Sequence, residues 1–84
     1  MQVILTPRAK KDLEGLDHKV ASRIIQALER YAETGHGNLK RLHGAGRELR
    51  LRVGDWRVIA MMDFSTNILY VMRVRNRREA YREG

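Results

Sequence analysis

One stretch of the sequence constrains the fold more than any other: "RELRLRVGDWRVI", from Arg47 to Ile59. Hydrophobic and charged residues alternate on both sides of Gly54-Asp55, and such alternation is typical of half-buried β-strands. A glycine followed by aspartate between two such runs predicts a β-hairpin with a two-residue turn. The pairs set by this turn are Val53 with Trp56, Arg52 with Arg57, and Arg50 with Ile59.

The alternation gives the hairpin two different faces. The apolar face is expected to pack on the rest of the domain, and it comprises Leu49, Leu51, Val53, Trp56, Val58, Ala60 and Met62. On the other face, Arg50, Arg52 and Arg57 converge within ~5–8 Å of one another. Like charges opposite each other destabilise paired strands, so we expect the counter-charge to come from nucleic-acid phosphates. The alternative is a solvated strand face with Glu48 or Asp55 as partial partners.

The net charge of +7 is concentrated in the second half of the chain. Residues 1–39 carry six Lys and Arg against five Asp and Glu, whereas residues 40–84 carry eleven against five. Ten of these eleven cations are arginine, whose planar guanidinium binds phosphate in a bidentate way and stacks on bases. The asymmetry predicts a polyanionic partner, and the alternative is that the basic surface only aids solubility.

The first half of the chain predicts a short strand and two helices. "QVIL" at 2–5 is the strand, Thr6 and Asp17 are placed to cap the helices, and Gly15 and Gly35 to end them. Apolar residues recur at helical spacing along both helices: Ala9, Leu13 and Leu16 in the first, and Val20, Ile24, Leu28 and Tyr31 in the second.

The second half predicts three strands, at 47–53, 56–62 and 67–75, after a polar, glycine-rich connection at 35–46. "RNRREAYREG" then forms a short helix or an extended tail. We therefore expect a single α+β domain over residues 1–84, of order βααβββ. Its core would be an antiparallel, twisted sheet of about four strands with the helical hairpin packed on one face.

The register of the third strand in this half is left open by the sequence. Ile68, Tyr70, Met72 and Val74 alternate there with Leu69, Val71, Arg73 and Arg75, and one set belongs to each face. If Arg73 and Arg75 join the hairpin arginines, a phosphate-binding groove results.

Several classes of protein are disfavoured by what the sequence lacks. No apolar run approaches the ~20 residues of a membrane span, and the start "MQVILTPRAKK" lacks a secretion signal, so a cytoplasmic location without a membrane partner is expected. The chain has no cysteine, which excludes disulfides and thiolate metal sites. His18, His36 and His43 lack the spacing of zinc ligands. We therefore expect no metal and no cofactor.

The segments "LRLRVGDWRVI" and "LYVMRVRNRREAYR" resemble the RelE/ParE superfamily of bacterial and archaeal toxins, which are the toxin halves of toxin–antitoxin pairs. The order of elements agrees over nearly the whole chain, including "TPRAKKDLEGL". The hairpin match is close. The closing match is partial, because Arg75 stands where glycine is usual and Asn76 where histidine is usual.

This resemblance implies one of two activities. RelE-like members cut mRNA in the ribosomal A site, and ParE-like members inhibit DNA gyrase without nuclease activity. The density of arginines favours the RelE-like branch, and the alternatives are the gyrase inhibitor or a degenerate nucleic-acid-binding member of the fold. Carried over by position, the catalytic residues are Arg50, Arg52, Arg57, Arg77 and Tyr81. Possible additional RNA-binding residues are Arg47, Arg73, Arg75, Asn76 and Arg78.

The reaction implied by the RelE-like branch is metal-independent attack of a ribose 2′-OH on the adjacent phosphate. Arg57 and Arg77 would stabilise the charge on the phosphoryl oxygens, and Tyr81 would stack on a base. Arginine stays protonated and is a poor general base, and Glu48 is a distant candidate for that role. The resemblance also implies the partners: an acidic antitoxin that folds on binding, the ribosome and mRNA, and operator DNA reached through the toxin–antitoxin complex.

Overall fold

Two helices and five strands make up the part of the chain that the computed structural model describes, residues 1–35, 39–41 and 48–76. In chain order they are β1 (Gln2–Leu5), α1 (Pro7–Glu14), α2 (His18–Thr34), β2 (Leu39–Arg41), β3 (Glu48–Val53), β4 (Trp56–Asp63) and β5 (Ile68–Asn76). The predicted α+β class and the order βααβββ are confirmed, and β2 is an extra short strand within the predicted connection. The segment 77–84, predicted as a short helix or tail, lies outside the described residues.

Both helices begin at the predicted caps. The hydroxyl oxygen of Thr6 accepts a hydrogen bond from the Ala9 N–H at 3.3 Å and donates one to the Val71 carbonyl at 2.8 Å. The Asp17 carboxylate accepts from the Lys19 N–H at 2.9 Å. Thr6 therefore satisfies an otherwise unpaired helix donor and also ties the start of α1 to β5. Neither helix, within the described ranges, is long and apolar enough to cross a membrane.

The sheet has the strand order β1-β5-β4-β3-β2. All neighbouring strands are antiparallel except β1 and β5, which run parallel, so the sheet is mixed where a purely antiparallel one was expected. Parallel pairing requires a long crossover connection. The helical hairpin α1–α2 follows β1 directly and takes the chain across one face of the sheet, which leaves β1 to pair with the last strand.

The core lies between the two helices and one face of the sheet. The predicted apolar face of the hairpin is confirmed, because Leu49, Leu51, Val53, Val58, Ala60 and Met62 are all buried. They meet Ala9, Leu13, Ile24 and Leu28 from the helices and Leu69, Val71 and Val74 from β5. Trp56 is half-buried and packs against this cluster, as do Leu16, Val20 and Tyr31.

The hairpin turn has the predicted two residues. Val53 pairs with Trp56, Arg52 with Arg57 and Arg50 with Ile59, as the alternation requires. Gly54 has φ 60°, whereas Asp55 is not among the residues with positive φ. Positive φ at the first turn residue only, occupied by glycine, is the pattern of a type II′ turn.

Replacing this glycine should therefore destabilise the domain. We expect Gly54→Ala to lower the free energy of unfolding by about 1–2 kcal/mol, because a side chain in the left-handed region meets the adjacent carbonyl oxygen. The matched control is Gly15→Ala, since Gly15 ends α1 with φ −80° and an added Cβ would lie 3.6 Å from the nearest atom. Urea denaturation of the two variants measures the difference, and equal effects would contradict the strain argument.

Candidate nucleic-acid interface

The face of the sheet that points away from the helices, here called the open face, carries a row of arginines. Arg52 pairs with Arg57 across β3 and β4, and Arg57 pairs with Arg75 across β4 and β5. Neighbouring strands lie about 4.8 Å apart, so this row places three guanidinium-bearing positions across roughly 10 Å. The predicted Arg–Arg pair is confirmed, and Arg75 extends it onto a third strand.

A β-bulge in β5 places Arg75 in this row. Ala60 pairs with Val71, but the next residue of β4, Ile59, pairs with Arg73, so Met72 is the extra residue. Without the bulge, Arg75 would share the face of buried Leu69 and Val71. The bulge shifts the alternation so that Val74 is buried instead. Neither alternating set predicted for this strand therefore keeps to one face, because an inserted residue reverses the parity midway.

Arg52, which belongs to this row, and Arg50, which belongs to the next, occupy different environments. The Nε atom of Arg52, an exposed side chain, donates to the Gly54 carbonyl at 3.3 Å, which holds the side chain near the hairpin turn. Arg50 lies opposite Ile59 in the next row. Its Nε atom is buried, and among residues 1–35 and 48–76 no side chain or backbone atom accepts a hydrogen bond from it. A buried donor without an acceptor destabilises a fold by about 1–3 kcal/mol, so a rotation of this side chain towards an external acceptor would be favourable.

Arg73 is held at the edge of the sheet by Asp12. The Oδ2 atom of Asp12 accepts hydrogen bonds from the Arg73 Nε and from the Val74 N–H, both at 2.9 Å. Since β1 ends at Leu5, whose partner is Val71, α1 takes its place beside this part of β5. Burial raises the pKa of Asp12, but the hydrogen bonds from Val74 and Arg73 and the charges of Arg73 and Arg8 outweigh it, leaving the pKa below its usual value.

The lowered pKa of Asp12 makes a pH-dependent contribution to stability. A carboxylate with a depressed pKa in the folded state stabilises the fold above its unfolded pKa of about 3.9, and this contribution is lost as the pH falls through the folded value. We therefore expect Asp12→Asn to be less stable than wild type at pH 7, with the difference shrinking below about pH 4. Thermal unfolding between pH 7 and pH 2 measures it. A difference that does not change with pH would contradict the assignment.

The remaining predicted site residues are divided between the end of β5 and the undescribed segments. Asn76 is half-buried at the end of β5 and pairs with Trp56. Arg47, Arg77, Arg78 and Tyr81 lie outside the described residues.

Sequence reasoning missed Asp12, although a signal was present. Asp12 lies three residues after buried Ala9 and four before Leu16, so it shares the inward side of α1.

Solved structures that match this fold include a toxin and chains of toxin–antitoxin complexes. One chain of the toxin–antitoxin complex RelBE2 from Mycobacterium tuberculosis is 20% identical, with a TM-score of 0.78 and 90% of this chain and 96% of that chain covered. The RelB–RelE complex from Methanococcus jannaschii matches at 19% identity, TM-score 0.78, with 95% and 96% covered. A YoeB/ParE toxin from Agrobacterium tumefaciens matches at 18% identity, TM-score 0.74, with 90% and 98% covered. At these identities the likeness establishes the fold.

Sequence comparison supplies the family. A search of curated proteins finds no match. A family model described as "ParE toxin of type II toxin-antitoxin system, parDE" matches residues 3–81, nearly the whole chain and both segments on which the resemblance rested. The chain therefore belongs to the RelE/ParE toxin family of type II toxin–antitoxin systems.

Proposed function

We propose that this toxin is a ribosome-dependent mRNA endonuclease that acts in the cytoplasm as a single domain over residues 1–84. The observation that carries the proposal is the cross-strand row Arg52–Arg57–Arg75 on the open face. Guanidinium groups bind phosphate oxygens through paired, charge-assisted hydrogen bonds. Three of them across a sheet form a binding site for the backbone of an RNA strand.

The neighbouring row adds a donor to this site. The buried Nε of Arg50 lacks an acceptor among the described residues. Arg50 pairs with Ile59, two residues along the strands from the Arg52–Arg57 pair. Rotation of the half-buried Arg50 side chain would bring this donor to a phosphate or ribose oxygen bound on the open face. Arg50, Arg52 and Arg57 are thus proposed as the strand-borne part of the catalytic site. Arg77 and Tyr81 remain assigned by resemblance alone, as do the additional contacts of Arg47, Asn76 and Arg78.

The proposed reaction is an internal transesterification within the mRNA. The ribose 2′-oxygen forms a bond to the adjacent phosphorus, the bond from phosphorus to the 5′-oxygen of the next nucleotide breaks, and the 2′-hydroxyl proton is balanced by protonation of that leaving oxygen. The products are a 2′,3′-cyclic phosphate and a 5′-hydroxyl. Negative charge develops on the phosphoryl oxygens, and preorganised guanidinium groups stabilise it. Tyr81 would stack a base and hold the nucleotide for in-line attack.

Proton transfer by Glu48 is disfavoured by its position. Glu48 lies four residues from Arg52 along β3, roughly 13 Å at the rise of a strand, and pairs with Met61 on the far side of Arg50. Arginine is protonated at all physiological pH values and does not act as a base. We therefore propose that transition-state stabilisation and positioning on the ribosome supply the rate.

The proposed partners follow from the family and from the charge. A cognate antitoxin is the expected partner of a type II toxin, and an acidic segment that folds on binding would complement the arginine row. The ribosome and mRNA are the proposed targets. Operator DNA is proposed to be bound only by the toxin–antitoxin complex.

The test is primer extension on a reporter mRNA translated in vitro, with and without purified toxin. We expect cleavage within codons that requires ribosomes and yields 5′-hydroxyl ends. Omitting the reporter's start codon is the control, because an untranslated mRNA should stay intact. Intact mRNA in the presence of ribosomes and folded toxin would refute the endonuclease proposal.

The second candidate is a ParE-like inhibitor of DNA gyrase. The description of the matching family model favours it, as does the distance of Glu48 from the arginine row. A gyrase supercoiling assay with the same preparation distinguishes the two. Inhibition of supercoiling without mRNA cleavage would support this candidate and replace the first.

A further inference from the structure

A small cleft lies between α2 and the turn of the β3–β4 hairpin, and neither proposed activity uses it. Its volume is about 250 Å³. Val20, Val53 and the half-buried Trp56 contribute apolar surface to it, whereas Arg23 of α2 and Asp55 of the turn contribute charges. Pockets for drug-sized ligands have volumes of ~300–1,000 Å³. The cleft therefore suits one planar group rather than a larger ligand.

The two charged residues of the cleft restrict the chemistry of its occupant. Within the described ranges 1–35 and 48–76, no ion pair joins Arg23 to Asp55, although both are exposed and line the same cleft. An apolar occupant would remove both charges from water without replacing their hydrogen bonds, which is unfavourable. A group with an apolar face for Trp56 and with both donors and acceptors on its edge satisfies all three residues. A nucleobase has these properties.

The cleft and the row of arginines occupy opposite faces of the same end of the hairpin. The Val53–Trp56 pair adjoins the Arg52–Arg57 pair and faces the other way. The Arg52 Nε donates to the Gly54 carbonyl at 3.3 Å, and Gly54 itself lines the cleft. A phosphate bound by Arg52 would thus lie beside the turn. An unstacked base of the same RNA strand reaches the cleft by passing over the turn.

We propose that this cleft is a nucleobase subsite that prefers guanine and reads one nucleotide next to the phosphate bound by the row. The base stacks on Trp56. The Asp55 carboxylate accepts hydrogen bonds from the adjacent N1–H and N2–H groups of guanine, and the Arg23 guanidinium donates to O6 and N7. Adenine and cytosine offer a carboxylate only one amino group, and uracil only one N–H. The inference rests on the proposed binding of RNA by the row and adds a base preference to it.

The experiment uses the fluorescence of Trp56, which is the only tryptophan in the chain and therefore reports on the cleft. The probes are three RNA pentamers with equal numbers of phosphates: four uridines around a central guanosine, five uridines, and four uridines around an abasic ribose. We expect the guanosine pentamer to quench the emission saturably. It should bind about tenfold more tightly than the abasic pentamer, within the range measured for stacking one base on an aromatic side chain.

Two variants with the same change of charge separate base recognition from general electrostatics. Asp55→Asn removes the proposed acceptor, and asparagine is well tolerated in turns. Glu33→Gln is the control, because Glu33 is exposed near the end of α2 and does not line the cleft. Removing a negative charge alone strengthens binding to a polyanion, so Glu33→Gln should bind the guanosine pentamer at least as tightly as wild type. Asp55→Asn should bind it about fivefold or more weakly, with no loss of affinity for the abasic pentamer.

Several results would overturn the subsite. These are equal quenching and affinity for the guanosine and abasic pentamers, tighter binding of the uridine pentamer, or no change in Trp56 emission with any probe. Asp55→Asn that binds the guanosine pentamer as tightly as Glu33→Gln does would overturn it as well. Ribosome-dependent cleavage by a toxin whose fluorescence does not respond to RNA would refute the cleft alone. A guanine-dependent response without cleavage would support the cleft and refute only the endonuclease proposal.

Discussion

Removing two guanidinium groups from the row on the open face should abolish mRNA cleavage. For Arg52→Ala/Arg57→Ala we expect at least about a hundredfold lower cleavage rate in the ribosome-dependent assay, since losing one preorganised transition-state donor typically lowers the rate by ~10²–10³. The exposed Arg52 side chain donates to the Gly54 carbonyl of its own hairpin turn, and circular dichroism of the variant checks that it folds. Removing a like-charged cross-strand pair is even expected to stabilise the hairpin slightly.

The control for that variant is a second double substitution with the same change of net charge. Lys10 and Arg30 are exposed on α1 and α2, which pack on the opposite face of the sheet. Lys10→Ala/Arg30→Ala should cleave within a few-fold of wild type. If both double variants lose activity equally, the effect belongs to overall charge and association with the ribosome rather than to the row.

The largest effect on stability is expected in the core under α2. Ile24 is fully buried, with 0% exposure, between the helices and the sheet. Ile24→Ala should lower the free energy of unfolding by about 2–5 kcal/mol, from the lost transfer energy and the cavity that remains. For a domain of this size that corresponds to a fall in Tm of roughly 10 °C or more. Urea and thermal denaturation followed by circular dichroism measure it.

The adjacent residue supplies the comparison. Ile25 has the same side chain but is 38% exposed, so Ile25→Ala should change stability by less than about 1 kcal/mol. Similar losses for the two variants would mean that α2 packs on the sheet through a different face.

Local chemistry made much of the fold predictable. Thr6 and Asp17 supply capping oxygens, Gly35 adopts the left-handed conformation at a helix end, and Gly54 sets the hairpin turn. Each of these acts on residues a few positions away, so its effect can be inferred from neighbouring residues. The two-residue turn also fixes the pairing of Arg52 with Arg57.

The features that could not be predicted depend on residues far apart in the sequence. Asp12 binds the Val74 N–H across 62 positions, and β1 pairs with a strand 66 residues away. The bulge at Met72 places Arg75 on the open face. Strict alternation would instead place Arg75 on the core face, together with buried Leu69 and Val71. Two-fold periodicity carries no information about where an extra residue interrupts it.

The parallel pairing of β1 with β5 also determines when the sheet can be completed during synthesis. Gln2 cannot pair until Ile68 has been synthesised. The row of arginines is complete only once Arg75 has emerged from the ribosome. Contacts of such long sequence separation form late and fold slowly. A growing chain therefore leaves the ribosome as helices and an incomplete sheet, with its apolar surfaces open. An antitoxin already present would meet an unfinished toxin, and capture during synthesis would precede completion of the row.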